Sequence, residues 1–116
     1  MRFFIVTFAL FLAGCGEYAS FYSEDPKALG LDGNSNLLRV HTGTEVVAEA
    51  KVIRPEIEGE TTFEVDEITA DDPTIVQISA VGASKFSIRG LAVGETLLHV
   101  KVDGDERDVV PIRIIP

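Results

Sequence analysis

The chain of 116 residues has no tryptophan, a single cysteine and only two histidines. One cysteine excludes an intramolecular disulfide, so an apolar core must hold the fold without a covalent link. Zinc needs three or four protein ligands, and the isolated His41 and His99 do not make such a site. Basic residues are also few, ten against nineteen acidic ones. Since an acidic surface repels phosphate backbones, we expect no nucleic-acid partner.

The sequence contains no apolar run long enough to span a bilayer. The run from Phe3 to Ala13, broken only by Thr7, has eleven residues, whereas a spanning helix needs about 20. Arg2 precedes this run and small residues end it, which is the form of a secretory signal peptide. Residues 1–14 are therefore predicted to be a cleaved leader and to take no part in the fold.

The cysteine stands at the end of that leader, in the sequence Leu12-Ala13-Gly14-Cys15. These four residues resemble the lipobox of bacterial lipoproteins. The resemblance implies cleavage before Cys15, acylation of its thiol and attachment to a membrane through the lipid. An ordinary signal peptide followed by a chance cysteine is the alternative, although a free thiol on an exported chain would be open to disulfide exchange. Gly16 stands where aspartate commonly retains such proteins at the inner membrane, so the resemblance implies the outer membrane.

Cleavage would leave 102 residues, enough for one domain. Arg2 would be removed with the leader, so nine basic residues would face nineteen acidic ones, a formal charge of −10. Residues 15–36 show no sustained periodicity and are punctuated by Gly, Ser, Asn, Asp and Pro. We predict that they form a flexible tether carrying the lipidated cysteine. The aromatic residues Tyr18, Phe21 and Tyr22 either rest at the membrane interface or fold back onto the domain.

From residue 37 onward, apolar and polar residues alternate with a period of two. In VVAEAKVI, for example, Val46, Ala48 and Ala50 fall on one face of a strand, opposite Glu49. The alternation and the turn residues between segments predict seven short strands and an all-β sandwich. The predicted strands are LLRVH, VVAEAKVI, TTFEV, IVQIS, KFSIR, TLLHVKV and VVPIRII.

Two local signals refine this prediction at the end of the chain. Asp103-Gly104 predicts a type I′ hairpin turn, because both residues tolerate positive φ. Pro111 lacks a backbone N–H, so its strand should present it at an edge or a bulge.

Residues 68–104 resemble the second half of the bacterial immunoglobulin-like domain, group 2. The matching features are Asp72-Pro73 before a strand and the element Gly90-Leu91-Ala92-Val93-Gly94-Glu95-Thr96 before the penultimate strand. The resemblance implies a seven-stranded immunoglobulin-like sandwich over residues 37–116, with the glycines at a tight corner and Leu91 closing one end. Ile68 stands where the family often has tryptophan, so we expect an aliphatic core with Phe63 and Phe86 as its bulky members. The small β domain at the N-terminus of pilus and secretion-channel secretins has similar features.

Acidic segments are the most visible candidates for chemistry. DGDERD, residues 103–108, places Arg107 and Asp108 where an EF-hand loop needs a carboxylate and a glycine, so it does not match. Calcium between the loops of the sandwich remains a lesser alternative, with ligands drawn from Glu64, Asp66, Glu67, Asp71 and Asp72. The sequence shows neither a nucleophile elbow nor a glycine-rich loop before a helix. We predict no catalytic site, no metal and no cofactor.

These observations predict a lipid-anchored protein of the bacterial envelope whose immunoglobulin-like sandwich is a non-catalytic binding or structural module. Such sandwiches act through exposed strand edges and end loops, which an envelope protein partner could bind. The secretin-like features leave one alternative open, an accessory lipoprotein of a secretion or pilus machine.

Overall fold

A computed structural model describes residues 16–31 and 37–116, which form two β-sheets packed face to face. One short 3-10 helix, Pro26–Leu29, follows the first strand. The strands in the described residues are β1 (Tyr18–Tyr22), β2 (Leu38–His41), β3 (Glu45–Glu56), β4 (Gly59–Glu64), β5 (Glu67–Ala70), β6 (Val76–Gly82), β7 (Lys85–Gly90), β8 (Gly94–Val102) and β9 (Asp105–Ile115).

The long strand β3 organises the first sheet. It pairs with β1 along one side, and along the other side with β7 and then with β4. β6 continues this sheet beyond β7. The second sheet has the order β2-β9-β8-β5, in which β2 runs parallel to β9 and the other neighbours are antiparallel.

The core lies between the sheets and is mainly aliphatic. Leu98 and Val100 of β8, and Ile112 and Ile114 of β9, are fully buried at alternate positions. Their burial follows from the period of a strand, because successive side chains point to opposite faces of the sheet. Phe86 is buried among them, as the sequence predicts. The predicted all-β sandwich is confirmed.

The strand count differs from the prediction. All seven predicted strands are present, and the described residues contain two more, β1 and β5. β5 has only four residues, too few for an alternating pattern to stand out in the sequence.

The predicted tether is wrong over its described part, residues 16–31. β1 pairs with β3 over its full length, and Leu29 of the 3-10 helix is fully buried in the core. The turn-forming residues that suggested a tether surround these elements, and the apolar residues between them supply buried surface. Residues 32–36 of the predicted tether lie outside the described residues.

The turn prediction at Asp103-Gly104 is confirmed, since these residues join β8 to β9 with φ of 52° and 83°. The glycines of the 90–96 element also lie at close approaches. A Cβ on Gly90 would come within 2.7 Å of the His41 carbonyl oxygen, and a Cβ on Gly94 within 2.9 Å of Cδ1 of Ile75. Leu91 does not close the end of the sandwich as predicted, because it is 45% exposed. Ile75, half-buried, packs against the core instead.

Pro111 lies opposite Leu97 of β8. On the other side of β9, pairing with β2 starts only at Ile112. Pro111 therefore lies in β9 immediately before the residues that pair with β2.

Within residues 16–31 and 37–116, no helix is long and apolar enough to cross a membrane.

Candidate functional site

The first described strand is integrated into the sandwich. β1 runs antiparallel to β3, with Tyr18 opposite Ile53 and Tyr22 opposite Glu49. Ala19 and Phe21 are half-buried against the core, whereas Tyr22 is 63% exposed. The alternation places one face of β1 on the core, so the domain begins almost at the predicted lipid attachment point.

An ion-pair cluster fixes the residue before β1. The Glu17 carboxylate accepts hydrogen bonds from Arg107 Nη1 at 3.1 and 3.0 Å, and Arg54 Nη1 lies 3.6 Å from Glu17 Oε2. Both guanidinium groups also lie 5.1 Å from the centre of the Phe63 ring, a distance at which a cation is attracted to an aromatic face. We call Glu17, Arg54, Phe63 and Arg107 the N-terminal cluster.

Phe63 therefore differs from its predicted place in the core. It is half-buried, and it packs against the core with Arg54 and Arg107 over its ring. Phe63 lies on β4, Arg54 on β3 and Arg107 on β9, so the N-terminal cluster joins both sheets to the chain two residues after Cys15.

Asp108 fixes the free edge of β1. Its Oδ2 accepts a hydrogen bond from the backbone N–H of Ala19 at 2.8 Å, and its Oδ1 accepts one from the N–H of Val109 at 2.8 Å. Beside this contact a groove of about 560 Å³ opens between β1 and β9. Its lining is largely apolar and includes Phe21, Leu31, Leu38, Val110 and Pro111. Because the Asp108 carboxylate bridges the two sheets, β1 cannot detach from the sandwich without breaking a charge-assisted hydrogen bond.

Two hairpin tips lie at the same end of the sandwich as the N-terminal cluster. The β3–β4 hairpin turns at Ile57-Glu58 and has Gly59 at φ 94°. Ile57 is fully exposed. At the β8–β9 hairpin, the Asp66 carboxylate accepts a hydrogen bond from the backbone N–H of Asp103. This end therefore combines acidic turns with one exposed aliphatic side chain.

His99 lies between two carboxylates on the outer face of the second sheet. Its Nδ1 is 2.5 Å from Glu106 Oε1, and its Nε2 is 2.6 Å from Asp71 Oδ1. The hydrogen bond to Glu106, followed by the hydrogen bond and charge of Asp71, raises the pKa of His99 above 6.5. The sequence analysis treats His99 as an isolated histidine and misses this bridge, because Asp71 is 28 positions away in sequence.

Three of the five residues considered as calcium ligands in the lesser alternative are engaged in hydrogen bonds within the domain. Asp71 bonds His99, Asp66 bonds Asp103, and Asp72 accepts hydrogen bonds from the hydroxyl and N–H of Thr74. The Thr74 hydroxyl and then its N–H hold the pKa of Asp72 below 3.8. Across residues 16–31 and 37–116, no group of three or more His, Cys, Asp or Glu side chains is arranged to hold a metal ion.

The predicted lipidation site and lipobox, Leu12, Ala13, Gly14 and Cys15, lie outside the described residues. Lipidation at Cys15 therefore stays a prediction. The predicted absence of a catalytic site also stays a prediction.

Sequence patterns did not reveal the residues that hold β1 and the residue before it in place, namely Glu17, Arg54, Arg107 and Asp108. Their partners are up to 90 positions apart, so no local spacing reveals them. One signal was present in YASFY, where Ala19 and Phe21 alternate with Tyr18, Ser20 and Tyr22 as in a strand with one buried face.

Comparison with known protein families finds no match, and comparison with curated proteins finds none either. The assignment to the group 2 immunoglobulin-like family therefore stays a prediction. Among solved structures, the chain is similar to domains 4 and 5 of the S-layer protein SbsC, with a TM-score of 0.51 and 18% sequence identity. The similarity covers 91% of this chain and 56% of that one, so this chain spans little more than half of the S-layer fragment. At this identity the comparison establishes a shared β-sandwich fold.

Proposed function

We propose that this protein is a lipid-anchored module of the bacterial cell envelope, with a non-catalytic binding or structural role. The observation that carries the proposal is the position of the lipobox. Cys15 stands two residues before Glu17, whose carboxylate is bound by Arg107 and Arg54. An acyl group on Cys15 would therefore attach the sandwich to the membrane with almost no intervening chain.

The fold comparison supports the envelope part of this proposal. The solved structure that the chain resembles in fold comprises domains 4 and 5 of an S-layer protein. The sandwich has a mainly aliphatic core, which suits a structural module. An envelope protein partner would bind at a free strand edge, and β6 and β5 end their sheets in the described part of the chain.

Acylation of Cys15 can be tested directly. We expect a Cys15→Ala variant to lose incorporation of an alkyne-tagged fatty acid in cells and to leave the membrane fraction. Thr7→Ala, in the apolar run of the leader, is the matched control and should label like the wild type. Equal labelling of the wild type and Cys15→Ala would contradict the proposal.

We further propose that the protein is attached to the outer membrane, and this location depends on Gly16. An added Cβ at Gly16 meets no atom within 4 Å, so Gly16→Asp changes the predicted sorting position without a steric conflict in the fold. We expect Gly16→Asp to shift the protein from the outer to the inner membrane on density-gradient separation, while Gly16→Ser stays in place. An unchanged distribution of Gly16→Asp would contradict the proposed location.

A further inference from the structure

We propose that the β3–β4 hairpin contacts the surface of the bilayer and that Ile57 rests among the lipid headgroups. This inference rests on the proposed lipidation of Cys15. It adds an orientation, in which the end of the sandwich with the N-terminal cluster faces the membrane and the opposite end faces away.

The short chain between Cys15 and Glu17 limits how far a lipid anchor can lie from the domain. Cys15 precedes Glu17 by two residues, and two residues of extended chain span at most about 7 Å, so an acyl group on Cys15 would be attached within about that distance of Glu17. Glu17 is itself fixed by Arg107 at 3.0 Å and by Arg54 at 3.6 Å. Acyl chains on Cys15 would therefore bring the N-terminal cluster to the membrane surface.

The register of β1 against β3 determines how far the β3–β4 hairpin projects beyond Glu17. Tyr18, the first residue of β1, lies opposite Ile53 of β3. β3 therefore continues past the start of β1 through Arg54, Pro55 and Glu56 to the turn at Ile57. At about 3.3 Å per residue, the three positions from Arg54 to Ile57 extend roughly 10 Å. The hairpin tip therefore projects beyond Glu17 at least as far as the chain to Cys15 can reach.

The side chains at the tip of the β3–β4 hairpin indicate which kind of lipid surface it fits. Ile57 is fully exposed, and Glu56, Glu58 and Glu60 surround it and are exposed too. Carboxylates repel anionic headgroups, whereas they tolerate the ammonium groups of zwitterionic lipids. The partner that fits is therefore a zwitterionic lipid surface, and the contact lies at headgroup depth.

The opposite end of the sandwich supplies a matched control. Val93, in the connection between β7 and β8, is an aliphatic residue with 61% exposure. It precedes Gly94, where β8 starts, while β8 ends at Val102 near the N-terminal cluster. Nine residues of strand separate the two ends by about 26 Å. Val93 should therefore stay in water when Ile57 contacts lipid.

The experiment uses acylated protein in phosphatidylcholine vesicles, with NBD attached to Ile57→Cys or to Val93→Cys. The acylated Cys15 has no free thiol, so the fluorophore attaches only at the introduced cysteine. We expect NBD at position 57 to be quenched by shallow spin-labelled lipid and to be at least about twofold less accessible to aqueous iodide than at position 93. Replacing part of the phosphatidylcholine by phosphatidylglycerol should reduce this protection.

The outcomes separate this inference from the proposed function. Equal iodide quenching at both positions, in protein that floats with the vesicles, would overturn the orientation and leave the anchor intact. Protection at position 57 without quenching by spin-labelled lipid would assign the hairpin to a protein contact, such as a second copy, and would also overturn it. Protein that does not float with the vesicles would overturn the anchor and the orientation together.

Discussion

At the scale of single residues, His99 is a side chain whose contacts respond to pH. Glu106 and Asp71 both favour the charged imidazolium, so the pKa of His99 is higher in the folded chain than in the unfolded one. The stabilisation from this charge is complete below pH 6.5, and it is lost as the pH rises through the folded pKa.

We therefore expect His99→Gln to destabilise the protein more at about pH 5.5 than at about pH 9, by roughly 0.5–1 kcal/mol. Urea unfolding at the two pH values measures this difference. Glu106→Gln removes the main cause of the shift and should weaken the pH dependence of the wild type. A His99→Gln effect that grows with pH would contradict this account.

Gly90 shows how closely the backbone approaches at the corner between β7 and β2. Its N–H donates to the Thr44 carbonyl at 3.1 Å, and its own carbonyl accepts from Gly43 at 2.9 Å. A Cβ there would lie 2.7 Å from the His41 carbonyl oxygen and 3.0 Å from Cγ2 of Ile114. The first of these is a backbone atom and the second belongs to the buried core, so neither can move aside cheaply.

We expect Gly90→Ala to lower the free energy of unfolding by roughly 1–3 kcal/mol. Gly82→Ala is the matched control in the same sheet, since its added Cβ would lie 3.6 Å from the nearest atom, Lys85 Cβ. The control should change stability by no more than about 0.5 kcal/mol. Equal effects of the two substitutions in chemical denaturation would show that the close approach at Gly90 is not the cause.

At the scale of elements, β1 is the strand on which the functional account depends. Three features hold it in place: its ladder with β3, the half-buried Ala19 and Phe21, and the bond from the Ala19 N–H to Asp108. The first two are ordinary for an edge strand. The third can be removed by a single substitution on β9.

We expect Asp108→Ala to lower the free energy of unfolding by roughly 1–2 kcal/mol, because Ala19 N–H loses a charged acceptor. Hydrogen exchange of the amides in β1 should become faster, with little change in β8. Asp105→Ala, on the exposed tip of the same strand, is the control and should leave β1 exchange unchanged. If β1 exchanges at the rate of an unstructured chain in the wild type, the strand is not part of the fold in solution.

Much of the sandwich was predictable from local alternation, because each of the seven predicted strands has one face on the core. Val46, Ala48, Ala50 and Val52 of β3 show the pattern most clearly, and all four are buried. The alternation in β1 is weak for a physical reason: its exposed face carries tyrosines, whose rings are largely apolar, so the two faces differ little in hydropathy. The parallel pairing of β2 with β9 and the N-terminal cluster join distant segments, which no local pattern encodes.

At the scale of the whole molecule, the integration of β1 changes what a lipid on Cys15 would do. A flexible tether of 22 residues would allow the domain to move well away from the membrane surface. With β1 starting at Tyr18, a lipid on Cys15 would instead hold the domain at the surface of the bilayer. The chain has ten basic and nineteen acidic residues. This net negative charge opposes adsorption to anionic lipid, so acylation would supply the attachment.

The most direct test of the central claim is the intact mass of the protein purified from the cells that produce it, with the membrane and soluble fractions analysed separately. The account predicts a chain that begins at Cys15, lacks residues 1–14 and carries added mass equal to several acyl groups, with no thiol open to alkylation. A chain that retains the leader, or a water-soluble chain with a free thiol at Cys15, would contradict it.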